Sequence, residues 1–190
     1  SHKKIYGLLI HDVENLFLPG GDKILSAMRQ LKEKGVVEKI GVSVYDSMQV
    51  DAVLKKFNPD LMQLPLSVLD QRMLATGHLE LLKNKGVEIH VRSVFLQGLL
   101  LMSLSDVPAF FEPIRPLLAR WHAAAREQGL TVNQAAIAFV KNLPHVDTVL
   151  VGLDNLVQFR TCFDDFSSDI NFDAAGLACN DSVFVNPSLW

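Results

Sequence analysis

The chain has 190 residues, of which 49% are apolar and 21% charged, and 18 Lys and Arg stand against 21 Asp and Glu for a net charge of −3. So apolar a chain can offset its ordering entropy by burial, which excludes disorder, and its mix excludes collagen-like, low-complexity and disulfide-scaffold classes. No basic excess points to nucleic acid or an anionic membrane, and the mean hydropathy of +0.21 is high for a self-contained soluble domain.

Five short apolar runs stand out, at residues 5–10, 39–44, 61–66, 87–91 and 148–151. Each has the length of a strand, and those at 5–10, 61–66 and 148–151 do not alternate, which is how strands of a parallel sheet covered on both faces read. Helical spacing lies between and after them. Residues 22–34 repeat Ile24, Leu25, Met28 and Leu31, and residues 46–57 repeat Val50, Val53, Leu54 and Phe57 behind a cap-like Asp46 and Gln49. Residues 71–85 carry Leu74, Leu81 and Leu82, and residues 110–128 carry Phe110, Ile114, Leu117, Trp121 and Ala125. Residues 131–143 open with Thr131 and Gln134, again cap-like, and residues 156–166 place Leu156, Phe159, Phe163 and Phe166 on one stripe.

The order is β-α-β-α-β-α-β-α-α-β-α, which predicts an α/β fold with five parallel strands. An internal echo supports it. Leu31 to Gly35 leads into the second strand and Leu82 to Gly86 into the fourth, each with a basic last turn and a stopping glycine. No linker divides the chain, so one domain is expected over residues 3–190, with Ser1-His2 set aside as a cloning or processing scar. Five such strands fit an open doubly-wound sheet or a partial (β/α)8 TIM barrel.

Both architectures bind ligands at the carboxyl ends of the strands. Those ends read His11-Asp12, then Ser43 to Asp46, then Gln63 to Ser67, then Arg92, Ser93 and Gln97, and finally Gly152 to Asn155. His11 emerges from an apolar strand and could donate a hydrogen bond or proton to a carbonyl oxygen, or cap the strand end. Ser43 and Gln63 could hold a planar amide or join an internal network. Arg92 could grip an anion, stack on a ring or pair with Asp12 or Asp46. His78, His90, His122 and His145 read as structural or solvated. GxGxxG and GxxxxGK[ST] are both missing, and no metal-binding spacing occurs. Cys162 and Cys179 read as reduced, packed thiols of a cytoplasmic protein.

The strings Leu8-Leu9-Ile10-His11-Asp12, Lys39-Ile40-Gly41-Val42-Ser43, Met62-Gln63-Leu64-Pro65-Leu66-Ser67 and Ser93-Val94-Phe95-Leu96-Gln97-Gly98, followed by Val149 to Gly152 with Gln158 and Phe159, resemble the aldo/keto reductases in the same order. The ending with Asn186, Pro187 and Trp190 is similar to that of some bacterial members. The resemblance implies a (β/α)8 barrel that binds NADP or NAD and reduces a small carbonyl compound. It makes His11 the histidine that polarises the carbonyl. It places Ser43 and Gln63 on the nicotinamide carboxamide. Arg92 would lie where an aromatic usually stacks, Ser93, Phe95 and Gly98 on the pyrophosphate, and Gly152, Leu153, Asp154, Asn155 and Gln158 at the adenosine end.

The chain also departs from the family pattern. The family's Asp, Tyr and Lys precede the strand that ends in His, and here that strand starts near residue 4. Three βα units are therefore expected to be absent, Tyr6 and Tyr45 to sit wrongly for proton donation, and the chain to be inactive alone. Val44 replaces an Asn, Thr161 and Cys162 replace a Glu and an Asn, and residues 152–158 carry no Lys or Arg for a 2′-phosphate. A non-catalytic truncated barrel used for binding or assembly is the alternative. Uncovered edges then predict a homo-oligomer or a missing N-terminal half, with the apolar surplus as surface built to be covered.

Overall fold

In the computed structural model, residues 4–190 are described; Ser1-His2 and the expected domain start at residue 3 lie outside them. The strands are β1 (Ile5–Ile10), β2 (Val37–Ser43), β3 (Leu61–Pro65), β4 (Glu88–Arg92) and β5 (Thr148–Val149). All pair in parallel, in the order β1-β2-β3-β4-β5. A doubly-wound sheet reverses its order at a switch point, whereas a barrel wall never does, so the sequential order selects the partial barrel.

The helices are α1 (Gly21–Glu33), α2 (Ser47–Lys56), α3 (Arg72–Ala75), α4 (His78–Asn84), α5 (Arg115–Glu127), α6 (Val132–Lys141), α7 (Leu156–Ser167) and α8 (Ser182–Val185). Ile10, Ile40, Val42, Leu64, Ile89 and Val91 of the strands join Leu25, Met28, Val50, Val53, Leu79 and Leu82 of the helices in one buried core. β4 nonetheless alternates, with Ile89 and Val91 buried and Glu88, His90 and Arg92 only half-buried between them. Trp121 is fully buried on α5 and its indole N–H donates to the Leu100 carbonyl at 2.9 Å.

Several boundaries differ from the sequence reading, each for a local reason. The helix expected over 71–85 is two helices, because Gly77 takes a left-handed φ of 73° between them. The helix expected from residue 110 begins as a 3-10 turn (Ala109–Ile114) and becomes α-helical at Arg115, with Pro113 and Pro116 unable to donate in the first turns. β2 starts two residues early because Val37 pairs with Ile5. β5 is two residues long, although the Leu150 N–H still donates to the Val91 carbonyl at 2.8 Å.

Two features report the curvature of the sheet. Leu61 fills the space over two glycines: a Cβ on Gly7 would lie 2.7 Å from Leu61 Cδ2, and one on Gly41 would lie 2.0 Å from the Leu61 carbonyl oxygen. At the amino ends of the strands, Tyr6 Oη on β1 donates to both carboxylate oxygens of Glu88 on β4, each at 2.8 Å. Lys39 of β2 donates to Tyr6 Oη at 2.8 Å and also to Glu88, and His90 Nε2 meets Glu88 Oε1 at 2.6 Å. In a flat sheet β1 and β4 would stand about 14 Å apart, beyond the reach of these side chains, so the network braces a curved wall. Burial pushes the Glu88 carboxyl up, but hydrogen bonds from Lys39, His90 and Tyr6 outweigh it and bring it down to about 2. The bonds to Glu88 and then Tyr6 push the Lys39 ammonium up.

Among the described residues β1 and β5 each pair on one side only. Ile5 and Tyr6 are exposed on the β1 edge, and Leu156, Val157, Phe159, Phe163 and Phe166 are exposed on α7. The apolar stripe expected on residues 156–166 is therefore present as a helix but uncovered, with Cys162 as the buried residue of α7.

Candidate active site

A cleft of about 940 Å³ opens at the carboxyl ends of the strands. That volume lies within the range of small-molecule and cofactor sites. One end is walled by His11 after β1, Tyr45 after β2, Gln63 on β3 and Arg92 at the end of β4. The other is walled by the first turn of α6 with Thr131, Val132 and Asn133, the turn with Gly152, Leu153 and Asp154, and Val157, Gln158, Thr161 and Cys162 of α7. Residues 93–98 run along the cleft, with Ser93, Phe95 and Gly98 among its lining residues.

Local sequence fixes each wall. Asp46 Oδ1 accepts from the Gln49 N–H at 2.9 Å and Gln49 Oε1 accepts from the Tyr45 N–H at 2.7 Å, so the start of α2 holds the backbone of Tyr45. Thr131 and Gln134 form the reciprocal cap of α6. Asn155 Oδ1 accepts from the Gln158 N–H at 2.9 Å, and Gln158 Oε1 accepts from the Asp154 N–H at 2.7 Å, so the same device sets α7. The first turns of α6 and α7 thus both border the cleft, and helix amino ends favour anions.

Arg92 lies over the Tyr45 ring at 4.3 Å and donates to the Val44 carbonyl and to Ser93 Oγ, both at 3.3 Å. Burial pushes its pKa down, and the contacts with Tyr45 oppose this. The acidic partners considered from sequence are taken: Asp46 caps α2, and Asp12 caps a 3-10 turn by accepting from the Glu14 N–H at 3.1 Å. A second arginine supports the same loop. Arg72 binds the buried Asp70 carboxylate through Nε at 2.8 Å and Nη2 at 2.9 Å, and Nη2 also points to the Tyr45 carbonyl at 3.4 Å. The hydrogen bond with Asp70 raises the pKa of Arg72, so the guanidinium keeps its charge.

The backbone of residues 93–98 is unusual. Ser93, Leu96 and Gln97 take φ values of 61°, 45° and 54°, and Gly98 takes 86°. Each left-handed non-glycine costs about 1–3 kcal/mol and persists where its surroundings over-determine it, commonly at a ligand clamp.

The sequence-derived candidates divide as follows. His11, Gln63, Arg92, Ser93, Phe95, Gly98, Gly152, Leu153, Asp154 and Gln158 share the cleft. Ser43 is 4% exposed and is not among the lining residues, although it pairs with Gln63 in register. Asn155 is exposed but uses its side chain to cap α7. Tyr45, set aside from sequence, lines the cleft with His11; its place two residues past Ser43 at a strand end was the available signal. Asn133 also lines it, in the first turn of α6, where the sequence showed only the cap pattern of Thr131 and Gln134. Cys162 and Cys179 are buried and unpaired, and burial pushes both thiols up. No helix among the described residues is long and apolar enough to cross a membrane.

A model of the aldo/keto reductase family matches residues 5–175. Comparison with curated proteins gives no match. Among solved structures, an aldo-keto reductase from Bacillus halodurans superposes with a TM-score of 0.75 in its apo form and 0.74 in its holo form. Both comparisons have 20% identity over 90% of this chain, and cover 59% and 58% of the other chain. A glycerol dehydrogenase from Gluconobacter oxydans superposes with a TM-score of 0.68 at 19% identity, over 90% of this chain and 55% of that one. At these identities the likeness is one of fold, and the chain spans less than two thirds of each structure.

Proposed function

The chain belongs to the aldo/keto reductase family, and from that premise we propose that its cleft holds NAD(P)H beside a small carbonyl substrate. The observation that carries this reading is the strained backbone of residues 93–98 along a cleft that also receives His11, Gln63 and Arg92. A strained segment and two helix amino ends make a good seat for a pyrophosphate, since backbone N–H groups and dipoles favour anions.

In this reading Gln63 bonds the nicotinamide carboxamide, with Ser43 behind it as its register partner. The Arg92 guanidinium, held over the Tyr45 ring, stacks on the nicotinamide ring. Ser93, Phe95 and Gly98 follow the pyrophosphate. Gly152, Leu153, Asp154 and Gln158 take the adenosine end, and Asn155 acts by holding α7 in place. When bound, the dihydronicotinamide supplies the hydride. His11 orients the carbonyl and donates a hydrogen bond to its oxygen as negative charge develops there.

We further infer that the 190-residue chain alone is a poor catalyst, working as one unit that binds rather than turns over. Tyr45 is the one phenol lining the cleft and Arg92 occupies its face, while lysine is missing from the lining residues. An alkoxide would then form without an efficient acid, which raises the barrier. The same observation favours a second reading, a binding module that keeps the dinucleotide site without the reaction.

The test is titration of the full chain with NADH and NADPH, followed by coenzyme fluorescence, with a parallel assay on a broad aldehyde panel. Saturable binding with negligible turnover is expected. No binding of either coenzyme would overturn the proposal, and fast turnover would overturn the inference of poor catalysis.

A further inference from the structure

We propose that Asp154 makes this cleft select NAD(H) over NADP(H). This selectivity rests on the dinucleotide reading above and goes beyond it by naming the discriminating residue. The two coenzymes differ by a phosphate on the adenosine ribose, a nearly dianionic group that calls for a cation or a ring of donors. The unphosphorylated hydroxyl instead suits a carboxylate acceptor.

The charges in the cleft are unevenly placed. Arg92 is the only lysine or arginine among its lining residues, and Tyr45 and the Val44 carbonyl hold it at the His11 end. At the far end the one charged lining residue is Asp154. Its backbone N–H is taken by Gln158, but no described side chain bonds to its carboxylate and it enters no ion pair. Two cations lie nearby in sequence or on the adjoining helix. Arg160 is exposed and outside the lining set. Lys141 is committed to the carbonyls of Phe166 and Ser168 at the other end of α7.

An unpaired carboxylate at this place does two things. It accepts a hydrogen bond from a ribose hydroxyl, and it repels a phosphate on that same oxygen. Gln158 and Thr161 add neutral polar groups that can bond a hydroxyl without compensating a dianion.

The experiment titrates the full chain with NADH and with NADPH by coenzyme fluorescence, for the parent chain, Asp154→Asn and Asp154→Arg. Asp154 is exposed and its side chain has no partner, so both variants should fold; circular dichroism checks this. The parent chain is expected to bind NADH about tenfold more tightly than NADPH, a difference of one like-charge contact. Asp154→Asn should narrow that ratio and Asp154→Arg should close or reverse it, chiefly through NADPH. Added salt should improve NADPH binding relative to NADH in the parent chain, because it screens the repulsion. Equal or tighter NADPH binding by the parent chain, or a ratio unmoved in both variants, would overturn the selectivity while leaving the dinucleotide site intact. Failure of both coenzymes to bind would overturn the site itself.

Discussion

Replacing Glu88 by Gln should remove the electrostatic brace between β1 and β4. The folded-state pKa of Glu88 falls from an ordinary 4.5 to about 2. At 1.36 kcal/mol per pK unit that is about 3 kcal/mol of stability at neutral pH. Its side chain is 16% exposed, so solvent screening takes little from this figure. The raised pKa of Lys39 reports the same ion pair and is not added to it. A depressed carboxyl pKa stabilises fully above 4.5 and loses its contribution as the pH falls from 4.5 through 2. Urea unfolding followed by fluorescence of the buried Trp121 measures this directly. Glu88→Gln should be less stable than the parent by about 3 kcal/mol at pH 7 and by about 1 kcal/mol at pH 3. A gap that does not change with pH, or that stays below about 0.5 kcal/mol at pH 7, would refute the brace.

Other positions make equally definite predictions. Gly41→Ala places a Cβ where it would meet the Leu61 carbonyl oxygen, so β2 and β3 must separate; urea unfolding should show a loss of about 3 kcal/mol, and unchanged stability would contradict the packing. Arg92→Ala should weaken coenzyme binding about tenfold in the fluorescence titration, and Arg92→Lys should rescue it poorly, because an ammonium cannot stack as a planar guanidinium does. Light scattering should find a dimer or larger assembly, since Ile5, Tyr6 and the α7 stripe are uncovered on a single chain; a monodisperse monomer would count against this.

The sequence was most legible where burial is strongest. Apolar runs marked β2, β3 and β4 because Val42, Leu64, Ile89 and Val91 are enclosed in the core. The cap pairs Asp46 with Gln49 and Thr131 with Gln134 were visible as spacings and are present as hydrogen bonds. Strand order was not legible, because βα alternation fits a barrel wall and an open sheet equally well; pairing decided it. Gly77 carries no legible signal of a break either, since glycine in a weakly periodic stretch reads as tolerated or terminal with equal ease.

In the candidate site, His11, Gln63 and Arg92 could be found because strand ends are where such folds bind ligands. Tyr45 and Asn133 could not be placed, since each depends on the path of a capped turn rather than on strand parity. The left-handed backbone at Ser93, Leu96 and Gln97 has no sequence signature, because none of these residue types favours positive φ. Part of the apolar surplus in the composition lies exposed on α7 and the β1 edge, and the rest of the exposed apolar residues are scattered over other elements.

The proposed nicotinamide dinucleotide would lie along residues 93–98, between the amino ends of α6 and α7. Hydrogen–deuterium exchange of the full chain with and without saturating NADH tests this placement most directly. Protection confined to residues 93–98, 131–134 and 150–162 is the predicted result. Unchanged exchange there, or protection only at the amino ends of the strands around Tyr6 and Glu88, would contradict it.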